Sequence, residues 1–318
     1  MTIEASRDAT IFENNVNNGS GGGNGLFSGT NGAQNSPRRA LIGFDVAGNV
    51  PAGALIQDVQ LTLFLGQFPN VGAQPTSTIG LHPVTADWSE GTTQQQFPPN
   101  DTFGGLGQGA PAVNGDVTWN ARVFSATTPT PWTATGGDFV PAVSASTVVT
   151  RTLLSGYVWG STEALVSDVQ GWIENPASNF GWMLVNAQET TPATFRAFYS
   201  HETATAALRP QLSLTYVMAW DFDANDVVDA ADLANWKANF GASGVATHAQ
   251  GDADGDRDVD GSDFLVWQRQ LGSGAPASPS TASVPEPATL MLACVAALGM
   301  AETARRTRPT GVAGAPSI

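Results

Sequence analysis

Val59-Gln60-Leu61-Thr62-Leu63-Phe64-Leu65 decides the fold class. Val59, Leu61, Leu63 and Leu65 alternate with Gln60, Thr62 and Phe64, so one set of side chains faces a core and the other faces away. That period belongs to a strand. Ile42, Phe44 and Val46 repeat it after a turn at Pro37–Arg39. Trp182–Leu184, Phe195–Ala197–Tyr199 and Leu212–Leu214–Tyr216 add further strand runs. Gly- and Asn-rich connections such as Asn17–Gly25 separate them, and Gly104–Gly115 reads as a long surface loop. One segment breaks the pattern. Between Glu163 and Glu174, Leu165, Val169, Trp172 and Ile173 share a helical face, with Ser161 or Thr162 available as the cap. Many short strands with a single helix predict a mainly β, jelly-roll-like antiparallel β-sandwich over residues 1–217.

Composition agrees. The chain has 318 residues, 35 Gly and 20 Pro, and Lys237 is its only lysine. A net charge of −15 argues against nucleic acid, whose phosphates need a basic face. The acidity is local, with eleven aspartates between Asp221 and Asp263. Cys294 is the single cysteine, so no disulfide framework and no thiolate cluster is expected. Cys294 sits in an apolar run and reads as a small apolar residue. Met1–Thr10 shows no basic-then-apolar secretory pattern, so the expectation is either that the true start of the gene lies upstream or that the first residues were trimmed.

Residues 218–272 contain a repeat. Asp221–Gly241 aligns with Asp252–Gly272, matching Asp223 to Asp254, Val228 to Val259, Asp229 to Asp260, Asp232 to Asp263 and Trp236 to Trp267. Calcium takes hard oxygen ligands from positions 1, 3, 5, 7, 9 and 12 of a 12-residue loop. The first loop offers Asp221, Asp223, Asn225, the Val227 carbonyl, Asp229 and Asp232; the second offers Asp252, Asp254, Asp256, the Asp258 carbonyl, Asp260 and Asp263. Val228 and Val259 are expected to face each other. Leu233, Trp236 and Phe240 form one helical stripe, and Phe264, Trp267 and Leu271 the other. The turn at position 6 favours glycine but carries Asp226 and Arg257, which predicts a distorted second site. Two Ca2+ ions are the expected cofactors.

Three resemblances follow from these and other words. The first is carried by Ala9-Thr10-Ile11-Phe12-Glu13-Asn14, Arg38-Arg39-Ala40-Leu41-Ile42-Gly43-Phe44-Asp45, Val50-Pro51-Ala52-Gly53-Ala54 and Asp87-Trp88-Ser89-Glu90-Gly91. Thr118-Trp119-Asn120, Pro131-Trp132, Gly136-Gly137-Asp138-Phe139, Phe180-Gly181-Trp182-Met183-Leu184, Ser200-His201-Glu202 and Arg209-Pro210 continue it. In this order they resemble the DNRLRE family, which is grouped with carbohydrate-binding modules. The resemblance implies a sandwich that binds polysaccharide. The tandem loop-helix repeat is similar to a type I dockerin, which implies a cohesin-like protein partner approached through Ala230-Ala231 and Gly261-Ser262. Last, residues 273–283 read as a flexible linker. After it come Val284-Pro285-Glu286-Pro287, an apolar run from Ala288 to Ala301, and Arg305, Arg306 and Arg308, before a tail at 309–318. This resembles a PEP-CTERM sorting signal, which implies recognition by an exosortase-type enzyme and export to the envelope, cell surface or extracellular matrix. The apolar run reads as a short helix. It is shorter than the ~20 residues that span a bilayer, so its membrane contact is expected to be transient.

No catalytic constellation stands out. His82, His201 and His248 have no His-Glu-x-x-His spacing, and no Gly-x-Ser-x-Gly elbow occurs. Asp87, Glu90 and Asp138 are the nearest glycosidase-like carboxylates, but read better as framework. Trp88 and Trp119 read as core. Trp132, Asp138 and Trp159 are the candidate sugar-facing residues. The expected function is therefore a non-catalytic, exported polysaccharide-binding or adhesive protein with a calcium-dependent docking module. The alternatives are a structural or assembly component of the envelope or matrix, and a polysaccharide-degrading enzyme.

Overall fold

The computed structural model describes residues 1–32, 35–94 and 108–273. The linker, sorting signal, apolar helix and tail read from the sequence beyond Ser273 lie outside the described residues. Met1–Ser273 forms one compact unit.

The unit is mainly β, as the alternation predicts. Eleven antiparallel strands make the principal sheet among the described residues. They are β1 (Thr2–Glu4), β2 (Arg7–Phe12), β3 (Gly25–Thr30), β4 (Pro37–Gly43), β5 (Ala54–Gln67) and β6 (Ser77–Pro83). There follow β7 (Ala145–Val149), β8 (Gly156–Trp159), β9 (Trp182–Asn186), β10 (Arg196–Tyr199) and β11 (Gln211–Met218). The hydrogen-bonded order is β1-β11-β5-β10-β3-β4-β9-β6-β7, with β8 on β5 and β2 on β4. Neighbours are mostly distant in sequence, so the sheet curls around its core by crossovers, consistent with a sandwich.

β5 is the spine. Val59, Leu61, Leu63 and Leu65 are fully buried, and β11, β8 and β10 all pair with this strand. The inward side chains of β4, β5, β6, β9, β10 and β11 share one apolar cluster. The helix α1 spans Glu163–Glu174, as its periodicity predicts. Leu165, Val169, Trp172 and Ile173 bury its apolar face in the same core. Thr162 caps it, its hydroxyl accepting the Leu165 N–H at 3.0 Å. Ser161, the other candidate cap, instead accepts the Val59 N–H.

A second apolar cluster lies on another face of the sheet, around Ile11, Leu41, Trp88, Trp119, Trp132 and Met183. It includes Trp88 and Trp119, as expected. From residue 108 on, the glycine-rich loop is pinned: Ala110 and Pro111 pair with Gly19 and Asn18.

After β11 come the helices α2 (Ala230–Asn239) and α3 (Gly261–Gln270). Their segment is seated on the sandwich. Ala219 N–H donates to the Gly53 carbonyl at 3.0 Å, and His248 Nε2 lies 2.9 Å from the Met218 carbonyl. Gly53 has φ +82°, and a Cβ there would meet the Trp220 ring at 2.4 Å. Only glycine serves this junction.

Candidate functional site

The tandem loops share most of their backbone hydrogen bonds and differ at one contact of the first aspartate, which takes the N–H of position 5 in the first loop and of position 4 in the second. Asp221 takes the Asn225 and Asp226 N–H groups on its two oxygens, and Asp252 takes those of Gly255 and Arg257. Asp232 accepts from Phe222 and Asp229; Asp263 accepts from Ala253 and Asp260. Each loop thus folds its backbone around a buried carboxylate at its first and last positions.

These bonds bring three carboxylates together in each loop. Asp221, Asp223 and Asp232 offer oxygens within 4.8 Å of one another, and Asp252, Asp254 and Asp263 do the same. Asp258, Asp260 and Asp263 form a further group. Loss of solvation within the loop raises the Asp223 carboxyl from its ordinary value, although the residue is exposed overall, and the Asp232 charge adds to it. Loss of solvation within the loop likewise raises Asp254, with Asp256 and Asp263 adding repulsion. The donors are all hard oxygens, the kind that a hard cation takes. Asp221, Asp223 and Asp232 could hold such a cation in one loop, and Asp252, Asp254 and Asp263 in the other.

Other expected ligands also support the loop backbone. Asp229 and Asp260 are helix N-caps, accepting from Ala231 and Ser262 in paired capping boxes with Asp232 and Asp263. Asn225 Oδ1 accepts the Val227 N–H, and Asp256 Oδ1 accepts that of Asp258. The glycine-favouring turn at position 6 is made in both loops. Asp226 has φ +65° and Arg257 φ +73°, so both residues adopt the left-handed turn that glycine would make. The N–H groups of both are held by the first aspartate of their loop, which fixes the turn.

Val228 and Val259 are both buried. Their backbones pair with the chain beyond the opposite helix: Val228 with Gly272 and Ser273, Val259 with Gly241 and Ala242. The helical stripes are shorter than expected, because Phe240 and Leu271 end their helices and stay 61% and 57% exposed.

The sugar-facing expectation for two tryptophans is overturned by burial. Trp159 is fully buried, with its indole N–H donating to the Ile79 carbonyl at 2.8 Å. Trp132 is 5% exposed and donates to the Thr118 carbonyl at 2.9 Å. Neither ring has a free face. Asp138 is half-buried and spends its carboxylate on the Thr133 and Ala134 N–H groups. It does line an open depression of about 460 Å³ with Thr85, Thr133, Phe139 and Pro141.

A second constellation was not assembled from the sequence. Asp8, Glu90, His201 and Glu202 each present a ligand-type atom within 4.8 Å of the others. His201 Nε2 lies 2.6 Å from Glu90 Oε1 and 2.6 Å from Glu202 Oε1. Burial alone would lower the His201 pKa, yet its contacts with Glu202 and Glu90 and the Asp8 charge push it up to about 10. Burial, and then Glu202, hold Asp8 well above the ordinary carboxylate range despite His201. Ser200-His201-Glu202 and Asp87-Trp88-Ser89-Glu90-Gly91 were visible as words; nothing in their spacing joins them.

The PEP-CTERM protein-sorting motif matches residues 283–308. No curated protein matches the chain. Among the described residues no helix is long and apolar enough to cross a membrane. The motif marks an exported protein that is processed by an exosortase and sorted to the cell surface or envelope.

Proposed function

We propose that this exported protein is a non-catalytic surface component whose sandwich binds polysaccharide or acts in adhesion, and whose tandem loops bind calcium and dock a protein partner. The observation that carries the reading is the loop-helix repeat. Two loops with oxygen-only carboxylate sets stand at the starts of two helices, and those helices leave Phe240, Leu265 and Leu271 exposed. Exposed apolar side chains of this size suit a protein partner. The DNRLRE and dockerin resemblances support the same assignment. For the glycan, the depression beside Asp138 replaces the buried tryptophans as the candidate surface.

A structural role in the envelope or matrix is the second reading. It is favoured by the Trp220–Gly53 junction, which seats the repeat on the sandwich like a fixed spacer. Pull-down from native envelope separates the two. Docking predicts a captured cohesin-like protein that is lost on chelating calcium and on changing Asp221 and Asp252 to Ala. Absence of any calcium-dependent partner, with no retention on polysaccharide, leaves the spacer. Hydrolysis of a polysaccharide abolished by Glu90→Gln would overturn both.

A further inference from the structure

Glu90, His201 and Glu202 meet in a way that hydrogen bonding alone leaves incomplete. An imidazole Nε2 carries at most one hydrogen, pointing along one direction in the ring plane. Here that nitrogen faces two carboxylate oxygens at 2.6 Å each. One N–H cannot be straight to both. Asp8 adds a third carboxylate. It is 1% exposed, its Oδ2 accepts the His201 backbone N–H at 2.8 Å, and its Oδ1 has no hydrogen-bond partner. A buried carboxylate oxygen without a partner is costly unless a cation faces it. Three carboxylates also outnumber the single positive charge that His201 can carry.

We propose that Asp8, Glu90, His201 and Glu202 bind one divalent transition cation of the Zn2+ class, separate from the oxygen-only loops. The donor set decides the class. Calcium and magnesium take oxygen ligands, whereas imidazole with carboxylates suits Zn2+ and its first-row neighbours. An ion with bonds of about 2.1 Å reaches ligands up to about 4.2 Å apart across it. The four atoms lie within 4.8 Å, and small side-chain movements that draw the 2.6 Å pairs apart and the farther pairs together would form the shell.

The shell is supported from behind. The Asp8 N–H donates to Glu90 Oε1 at 2.6 Å, and Asp8 in turn holds the His201 backbone. The chain after Glu90 is tied down by Asp116, which accepts the Thr92 and Thr93 N–H groups and the Thr93 hydroxyl. Trp88, just before it, donates to the Phe180 carbonyl at 2.8 Å. Such outer contacts orient ligands before the ion arrives. The ligands come from β2, the 88–93 loop and the loop after β10, so the ion would clip three distant segments together.

The test uses the full chain, stripped with chelator and returned to excess calcium so that any calcium loops are filled. Calorimetric titration with Zn2+, paralleled by Co2+ absorbance, should show one equivalent bound. His201→Ala and Glu202→Gln should each weaken Zn2+ at least about tenfold, as loss of even a supporting contact does. Both side chains are about a quarter exposed, 24% and 23%, so the variants should fold, which a thermal melt verifies. The Asp221→Ala, Asp252→Ala variant should bind Zn2+ as the parent does. No uptake of Zn2+ or Co2+, or uptake that survives both cluster substitutions, would overturn the proposal.

Discussion

Trp236 donates its indole N–H to the Asp260 carbonyl at 2.8 Å, and Trp267 returns the contact to the Asp229 carbonyl at 3.2 Å. Each helix is therefore tied to the capping residue of the other loop. With the crossed pairing of Val228 and Val259, the two loops are one unit, and a ligand in either should be felt in both.

That coupling sets the first prediction. Calcium at about 100 times its Kd should stabilise the repeat by roughly 2.7 kcal/mol per site. Chelation should lower helix content and change the emission that Trp236→Phe and Trp267→Phe remove. Each substitution deletes one bond, a cost of about 1 kcal/mol. Trp267→Phe should cost more, since Trp267 is buried and Trp236 is half-exposed. Either change should weaken both sites in calorimetry. Weakening of one site only would show that the loops act independently. No response to calcium up to ~10 mM, beyond the weakest such sites, would remove the metal assignment.

Position 6 gives the second. Asp226 and Arg257 occupy left-handed backbone that costs a residue with a Cβ about 1–2 kcal/mol. Asp226→Gly and Arg257→Gly should each stabilise the repeat by part of that amount, because glycine is also freer when unfolded. Arg257→Gly should gain more, since Asp tolerates this region better. Thermal melts of the calcium-loaded chain measure both. A loss of stability for Arg257→Gly would mean that the side chain has a role the backbone does not reveal.

Much of this was readable in the residues. A period of two named the spine at Val59–Leu65, and a period near four placed α1. What failed depended on distant partners. Trp132 sits among prolines and turn residues, which look like surface, but its indole is buried against Thr118. Trp159 is anchored on Ile79, far away in sequence. Asp229 and Asp260 were read only as calcium ligands, and the structure adds a helix-capping role that the loop spacing did not show. Asp8, Glu90 and His201 meet because β2 lies beside β4, and β10 beside β3, an order fixed only by the folded sheet.

Burial also changes what Trp132→Ala should do. Emptying a buried tryptophan site costs about 3–5 kcal/mol. The variant should lower the melting temperature of the sandwich and reduce polysaccharide retention only in proportion to unfolding. Phe139→Ala, beside the open depression, is the cleaner probe of a glycan surface. Unchanged stability with lost retention in Trp132→Ala would restore that ring as a sugar contact.

Asp168 supplies a pH dependence away from both clusters. It belongs to α1, and its Oδ2 accepts from Ser144 Oγ at 2.5 Å and Trp182 Nε1 at 2.8 Å. Burial raises its pKa, and those two hydrogen bonds offset only part of the rise. The folded state therefore holds this proton more tightly than the unfolded chain, whose Asp titrates near about 3.9. By linkage the advantage is complete below that value and disappears as pH rises through the higher folded value. Asp168→Asn is neutral throughout and can still accept from Trp182. Its stability relative to the parent should therefore rise with pH from about 4 upward and level off once the parent carboxyl is ionised. Denaturant melts of both proteins across that range test the sign. A parent that gains on the variant as pH rises would mean that the two hydrogen bonds outweigh burial, leaving an Asp168 that prefers its charge.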